Sequence, residues 1–272
     1  MIRVGVIGAA GRMGRLVCRA VAEDPDLRLV AAINPSLAGE SLGALIARPD
    51  VDVRISDELD TLLQAETEVA VDFTQPDVVM DNVRWAIEHA MHLVVGTTGI
   101  GVPELAEIER LLDREGNESN VIVAPNFAIG AVLMQRFAAI AARYFPAVEI
   151  IELHHDGKRD APSGTALMTA HAIANARGEA WAGPAAETVE GVRGGEVHGI
   201  RIHSIRLPGL VAHQEVILGG LGQTLTIRHD APMRESYMPG VLLAIKSVVG
   251  RPGLTVGLEA LLDLPRIEEP GP

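Results

Sequence analysis

Two adjacent histidines, a lysine and a Ser-Gly-Thr turn crowd into one stretch, Glu152-Leu153-His154-His155-Asp156-Gly157-Lys158-Arg159-Asp160-Ala161-Pro162-Ser163-Gly164-Thr165-Ala166. An imidazole gives up a proton near neutral pH, with an ordinary pKa of about 6.5. The Lys158 ammonium is a compact charge suited to a carboxylate. Pro162-Ser163-Gly164-Thr165 reads as a helix start, whose spare N–H groups and positive dipole end suit a second carboxylate. Asp160 is placed to cap that helix. His154 and His155 are neighbours at a strand end, so their side chains diverge, and which one faces a ligand stays open. The combination predicts proton transfer to or from a small anionic substrate. No metal is expected, because the pair lacks a Cys or acidic partner at zinc-site spacing. His198, His203, His213 and His229 are scattered and read as structural or surface residues.

A second group of residues opens the chain. Gly8-Ala9-Ala10-Gly11-Arg12-Met13-Gly14 follows an apolar strand and leads into a helical pattern. Glycines there permit a tight turn and let backbone approach a pyrophosphate at the helix N-terminus. The spacing is G-x-x-G-x-x-G rather than the commoner G-x-G-x-x-G. An acidic residue about 20 positions on usually holds the ribose of NAD. Asn34 stands there, followed by Pro35 and Ser36. It can bond a ribose hydroxyl without repelling a 2′-phosphate, so NADH, NADPH or both remain open. Arg12 is the nearest cation for that phosphate, and an ordinary turn at Asn34-Pro35 is the plainer alternative. Gly96-Thr97-Thr98-Gly99 and Ala124-Pro125-Asn126-Phe127 each follow an apolar strand, at the carboxyl ends where open α/β sheets bind ligands.

The elements that must position these residues alternate. Strands are expected at Arg3 to Ile7, Leu27 to Ile33, Val69 to Phe73, His92 to Gly96 and Val121 to Ala124. Helices are expected at Arg15 to Glu23, Pro76 to His89 and Pro103 to Arg114. This is an α/β pattern, a Rossmann-type doubly wound parallel sheet. After Phe127 a helix from Ile129 to Ala142 precedes strands at Val148 to Leu153, Arg201 to Leu207, Glu215 to Leu218 and Thr224 to His229. Little helix separates the last three, which predicts a second α+β domain with a mixed sheet. Glu179 to Gly199 reads as a loop. Tyr237 to Val249 and Leu254 to Leu262 return to helix-like spacing. The expected domains are therefore 1–127 plus 236–272 for the dinucleotide, and 128–235 for substrate and oligomerisation, with hinges near Phe127 and Ser236.

Composition narrows the classes. The 272 residues are 48% hydrophobic, ample for a core, and only 3% aromatic. A net charge of −13 argues against nucleic acid and against anionic membrane surfaces. The single cysteine, Cys18, lies in a helical apolar pattern and reads as a buried hydrophobe. No leader and no membrane-spanning stretch is read in the sequence, so a cytoplasmic location is expected.

The quoted motifs, together with Val71-Asp72-Phe73-Thr74, resemble the dihydrodipicolinate reductase family, in order from residue 3 to about residue 263. The His-His-to-Ser-Gly-Thr motif is the specific part. The resemblance implies a nicotinamide-dependent reductase of diaminopimelate and lysine biosynthesis acting on a cyclic dicarboxylate. It implies His154 as proton donor or acceptor and Lys158 as a second proton donor. It implies substrate contacts at His155, Ser163, Gly164, Thr165 and Thr98. Gly8, Ala9, Ala10, Gly11, Arg12, Met13, Asn34, Gly96, Thr97, Thr98, Ala124, Pro125, Asn126 and Phe127 would line the dinucleotide. A homotetramer built through the second domain's sheet is also implied. The family commonly has an acidic residue at Asn34, which leaves cofactor preference open. Two rival readings are another small-acid NAD(P)-dependent dehydrogenase and a non-catalytic dinucleotide-sensing module.

Overall fold

The structure, a computed structural model, describes residues 1–177 and 186–264. The chain starts with β1 (Ile2–Ile7), α1 (Arg12–Glu23) and β2 (Leu27–Ile33). Two short helices, α2 (Leu42–Leu45) and α3 (Asp60–Gln64), flank the two-residue strand β3 (Ile55–Ser56). Regular alternation resumes with β4 (Val69–Asp72), α4 (Val79–Glu88), β5 (His92–Val95), α5 (Val102–Leu112) and β6 (Asn120–Val123). Then come α6 (Ile129–Ala141), β7 (Ala147–His154) and α7 (Gly164–Ala176). Four strands follow, β8 (Gly195–Val197), β9 (Ile200–Arg206), β10 (Ala212–Gly220) and β11 (Gln223–Ala231). The last two elements are α8 (Met238–Val248) and β12 (Gly253–Val256). Two compact units result: Met1–Phe127 with Tyr237–Asp263, and Ala128–Ser236.

The first unit is a parallel seven-stranded sheet in the order β12-β6-β5-β4-β1-β2-β3. Its central strands are near-continuous runs of Val, Ile, Leu and Ala because helices cover both faces. Val4, Val6, Val69, Ala70, Val71, Leu93 and Val94 are fully buried. The chain winds from β1 to β2 on one side and to β4 on the other. Their carboxyl ends, at Ile7 and Asp72, are register partners and mark the switch point of the sheet.

Expected features differ here, among them the start of α4, at Val79 rather than Pro76. The helix after the glycines begins at Arg12, three residues before the expected Arg15. Leu254 to Leu262 is a strand and a short 3-10 turn rather than a helix. Its apolar residues fit either period, and the open edge of β6 decides. Leu254 pairs with Val121, and the Asn120 side chain donates to Val248 and accepts from the Gly253 N–H.

The second unit is a mixed sheet, β11-β10-β7-β9-β8, in which β7 and β9 run parallel and the other pairs antiparallel. Met134, Ala138, Ala166, Ala170 and Ile173 of α6 and α7 pack on Val148, Ile150, Val216, Leu218, Ile200 and Ile202. The loop expected over Glu179 to Gly199 lies partly outside the described residues. Its end is the strand β8, joined to β9 by a two-residue turn. His198 and Gly199 adopt φ of 51° and 72°, the left-handed pair that a tight hairpin requires.

Candidate active site

The glycine turn fits a backbone-lined cradle. Gly8 has φ +83°, and a Cβ on it would lie 2.5 Å from the Phe73 carbonyl oxygen. A Cβ on Gly14 would lie 2.1 Å from the Gly8 oxygen, so this residue lets α1 pack close to the turn. The Gly8 and Ala9 N–H groups donate to Ile33 at the end of β2. Gly11 caps α1 in extended conformation, leaving the first-turn amides of Arg12, Met13 and Gly14 without an intrahelical acceptor. Arg12 is exposed on that first turn.

Asn34 follows β2 beside this turn. Its Oδ1 accepts from the Ser36 N–H at 3.2 Å and from the Ser36 hydroxyl at 2.6 Å. It therefore caps a 3-10 turn over Pro35–Leu37 and keeps its NH₂ for other partners.

Three more loops share the carboxyl edge of the sheet. Gly96 to Thr98 follows β5 and Ala124 to Phe127 follows β6, with Phe73 and Thr74 after β4. The strand ladder continues into them. Gly96 donates to Asp72, Ala124 to Val95 and Phe73 to Ile7. A Cβ on Gly96 would meet the Phe73 ring at 2.2 Å, and that ring lies 5.8 Å from the ring of Phe127. Asp72 is fully buried. Its Oδ1 accepts from the Thr74 N–H, the Thr74 hydroxyl and the Thr97 hydroxyl at 2.9, 2.7 and 2.7 Å, and its Oδ2 from Asn82 at 2.7 Å. Thr97 is buried in this network, whereas Thr98 is exposed.

In the second unit the chemistry gathers where β7 meets α7. Glu152 and His154 are two residues apart on β7, so both project from the same face. Glu152 is fully buried, and its Oε2 lies 2.5 Å from His154 Nδ1. Arg206, the register partner of His154 on β9, forks onto the same carboxylate at 2.8 and 3.0 Å. Burial alone would raise the Glu152 pKa, but hydrogen bonds from His154, Arg206 and Ser204 and the Arg206 charge outweigh it and hold it at about 2. Arg206 also donates to the Asp160 carbonyl at 2.6 Å.

Lys158 Nζ contacts both Asp160 oxygens at 2.8 Å. Asp160 is thus the lysine's partner and not the expected helix cap. Ser163 takes the cap, its hydroxyl accepting from the Ala166 N–H at 3.2 Å. Ser163 is the residue immediately before the first turn of α7, whereas Asp160 precedes it by three positions. A Cβ on Gly164 would meet nothing within 4 Å, so the start of α7 faces open space. His155 lies just past the strand, and its carbonyl accepts from the Lys158 N–H.

Glu152, Arg206, Asp72 and Asn82 received no role from the sequence. The signal for Glu152 was available, an acid on the apolar face that carries Val148 and Ile150. The other histidines are accounted for by partners of their own. His203 bonds Glu149 and His213 bonds Asp230, while the His198 ring sits against His171. Burial lowers the pKa of His229. Cys18 is buried, which pushes its thiol far up. Among the described residues, no group of three His, Cys, Asp or Glu is placed to hold a metal.

Comparison with known proteins covers both units. A family model described as dihydrodipicolinate reductase, N-terminus, matches residues 2–127, and its C-terminus counterpart matches residues 130–262. The 4-hydroxy-tetrahydrodipicolinate reductase of Nocardia farcinica is 50% identical over 267 residues, covering 97% of this chain and 99% of the relative. That of Desulfitobacterium hafniense is 47% identical over 266 residues, with 96% and 99% covered. A dipicolinate-bound dihydrodipicolinate reductase from Paenisporosarcina sp. TG-14 superposes with a TM-score of 0.84 at 42% identity, covering 96% of this chain and all of that one. An amine dehydrogenase from Mycobacterium smegmatis, TM-score 0.66 and 16% identical, shares the fold alone.

Proposed function

The chain belongs to the dihydrodipicolinate reductase family, and from that premise we propose how its residues divide the work. It reduces 4-hydroxy-tetrahydrodipicolinate to tetrahydrodipicolinate with NADH or NADPH, in diaminopimelate and lysine biosynthesis. Replacing a ring hydroxyl by hydrogen takes up one hydride and one proton and releases one water. The reduced nicotinamide supplies the hydride when bound.

The protein supplies positioning and the proton. His154 donates the proton next to the carbon that receives hydride. Lys158 orients one carboxylate and adds a second proton source. Its ammonium is already matched to a carboxylate in Asp160, so an incoming substrate competes for it. The capped start of α7, with Ser163, Gly164 and Thr165, receives the other carboxylate through N–H groups. His155 adds a further substrate contact. Gly8 to Met13, Asn34, Gly96 to Thr98 and Ala124 to Phe127 hold the dinucleotide. The glycine cradle supports this, since side chains at Gly8 and Gly14 would collide with backbone. Asn34, being neutral, tolerates a 2′-phosphate, which supports use of both dinucleotides.

The observation that carries this reading is the conjunction on one strand-to-helix connection of a carboxylate-bound histidine, a lysine and a capped helix start. A homotetramer belongs to the same proposal. Ile151, Leu153 and Ile217, interleaved with Glu149 and Glu215, lie on the sheet face opposite α6 and α7, and all are only partly buried. We place the enzyme in the cytoplasm with no nucleic-acid partner. No helix among the described residues is long and apolar enough to cross a membrane.

The test is oxidation of NADH and NADPH with substrate made in situ from pyruvate and aspartate semialdehyde by the preceding synthase. Oxidation that requires both proteins supports the reading, and His154→Gln should then lower turnover far more than dinucleotide affinity. Dinucleotide binding with no oxidation would point to a sensing module or another substrate, and normal turnover in His154→Gln would remove His154 from its role.

A further inference from the structure

We propose that Glu152 and Arg206 are positioning residues that lock the His154 imidazole with its proton on Nδ1 and reserve Nε2 for the substrate. The inference rests on the reading of His154 as proton donor given above.

The argument starts from hydrogen-bond accounting. Glu152 is fully buried, and Arg206 and Ser204 reach its carboxylate as donors. Arg206 Nη2 donates to Oε1 and Nη1 to Oε2, and Ser204 adds a further hydrogen bond. A guanidinium cannot accept, and an ionised carboxylate cannot donate. The ring nitrogen 2.5 Å from Oε2 must therefore be the donor, which places hydrogen on Nδ1. Only Nε2 is left for chemistry. In the proton-transfer step the imidazolium gives its Nε2 proton to the substrate and becomes the neutral Nδ1–H imidazole. The Nδ1 proton stays against Glu152, and solvent returns the Nε2 proton for the next turnover.

Arg206 is itself held in place. Nη1 also donates to the Ile205 carbonyl and Nη2 to the Asp160 carbonyl. The second of these ties the carboxylate under His154 to the loop whose Asp160 side chain holds Lys158. One guanidinium thus fixes the orientation of the proton donor and the path of the substrate-binding loop. A lysine at 206 lacks the planar fork and cannot make both sets of bonds.

The deciding experiment is long-range proton–nitrogen NMR on the whole protein with ¹⁵N-labelled histidine, at a pH where His154 is neutral. The His154 signals are identified by their loss in His154→Gln. The expected spectrum shows protonated Nδ1 and unprotonated Nε2. A protonated Nε2, or averaged nitrogens, overturns the proposal without reference to activity. Kinetics give the second arm. Glu152→Gln should lower kcat by roughly 10²-fold, as expected when a general acid loses its productive form, with KM for the dicarboxylate and dinucleotide affinity changed less than about threefold. Unchanged kcat with an unchanged tautomer would also overturn it. If Glu152→Gln fails to fold, the wild-type spectrum alone decides. Normal turnover in His154→Gln would instead refute the proton-donor reading, a separate outcome.

Discussion

Replacing Asp72 should separate two roles that a buried acid can play. Its carboxylate receives four neutral donors and no cation, and it ties the loops after β4 and β5 to α4. Asp72→Ala removes the acceptor for all four. The Thr74 N–H keeps a partner, because it also donates to the Thr97 hydroxyl at 2.8 Å. The Thr74 hydroxyl, the Thr97 hydroxyl and the Asn82 amide lose theirs. A hydrogen bond to a charged group is worth about 1.5–3 kcal/mol net, so three losses amount to roughly 5 kcal/mol. Relief from burying a carboxylate offsets part of this, leaving an expected cost of about 3 kcal/mol. Asp72→Asn keeps the oxygen that serves Thr74 and Thr97. It opposes one NH₂ to the Asn82 NH₂, which an amide rotation of Asn82 resolves. Its cost should be about 1 kcal/mol. Urea unfolding followed by circular dichroism measures both, and titration calorimetry with NADH measures the loop. Dinucleotide affinity should fall at least tenfold in the alanine variant and little in the asparagine variant. Equal destabilisation by Ala and Asn would show that charge, not acceptor geometry, is what the site needs. Wild-type affinity in Asp72→Ala would show that Gly96 to Thr98 is held by other contacts, and would refute the reasoning.

Lys158→Ala should lower kcat/KM by about 10²-fold, mainly through KM, since it removes a carboxylate's partner. Its stability cost should stay under about 1 kcal/mol, because Asp160 is exposed and solvent screens its pair with the partly buried Lys158, and a larger shift in the urea midpoint would contradict this. Asn34→Asp keeps the acceptor for Ser36 but adds a charge next to the position expected for a 2′-phosphate. The NADH-to-NADPH ratio of kcat/KM should rise at least about fivefold, consistent with a repulsion of about 1 kcal/mol or more between charges at such range, and an unchanged ratio would count against that placement. Glu152 makes a pH prediction. Its folded pKa is depressed from 4.5 to about 2, so the stability it adds is complete above pH 4.5 and disappears as pH falls through 2. The shift corresponds to about 3 kcal/mol. Wild type should lose stability more steeply than Glu152→Gln across that interval, and parallel curves would sink the assignment.

What the sequence made legible was whatever local pattern determines. Leu27–Ile33 is a strand with the expected bounds because an unbroken apolar run bounded by Asp24-Pro25 and Asn34-Pro35 has few other uses. The mixed character of the second sheet was legible from the scarcity of helix between its strands. Residues 37 to 68 carry no clear periodic signal, and they hold two short helices and a two-residue strand whose form depends on the edge of β2. Leu254–Val256 was misread for a related reason, since only the unpaired edge of β6, more than 130 residues away, selects a strand there.

The same distinction runs through the candidate site. Ser163, Gly164 and Lys158 stand out because their chemistry follows from neighbours in the chain. Arg206 does not, because nothing near it in sequence links it to Glu152, 54 positions earlier. Only the parallel register of β7 and β9, with His154 opposite Arg206, brings the guanidinium to the carboxylate. Asp160 shows the converse error. Its position three residues before Ser163 suggested a cap, yet a helix uses one N-cap side chain, and Ser163 sits at the boundary. Freed from that role, the Asp160 carboxylate holds Lys158 while its carbonyl holds Arg206. A residue that sequence placed at a helix end thus joins the lysine to the carboxylate–histidine pair. Asp160→Asn should therefore loosen Lys158 and spare the Arg206 bond, which goes to the main chain, whereas loss of a cap would have affected α7.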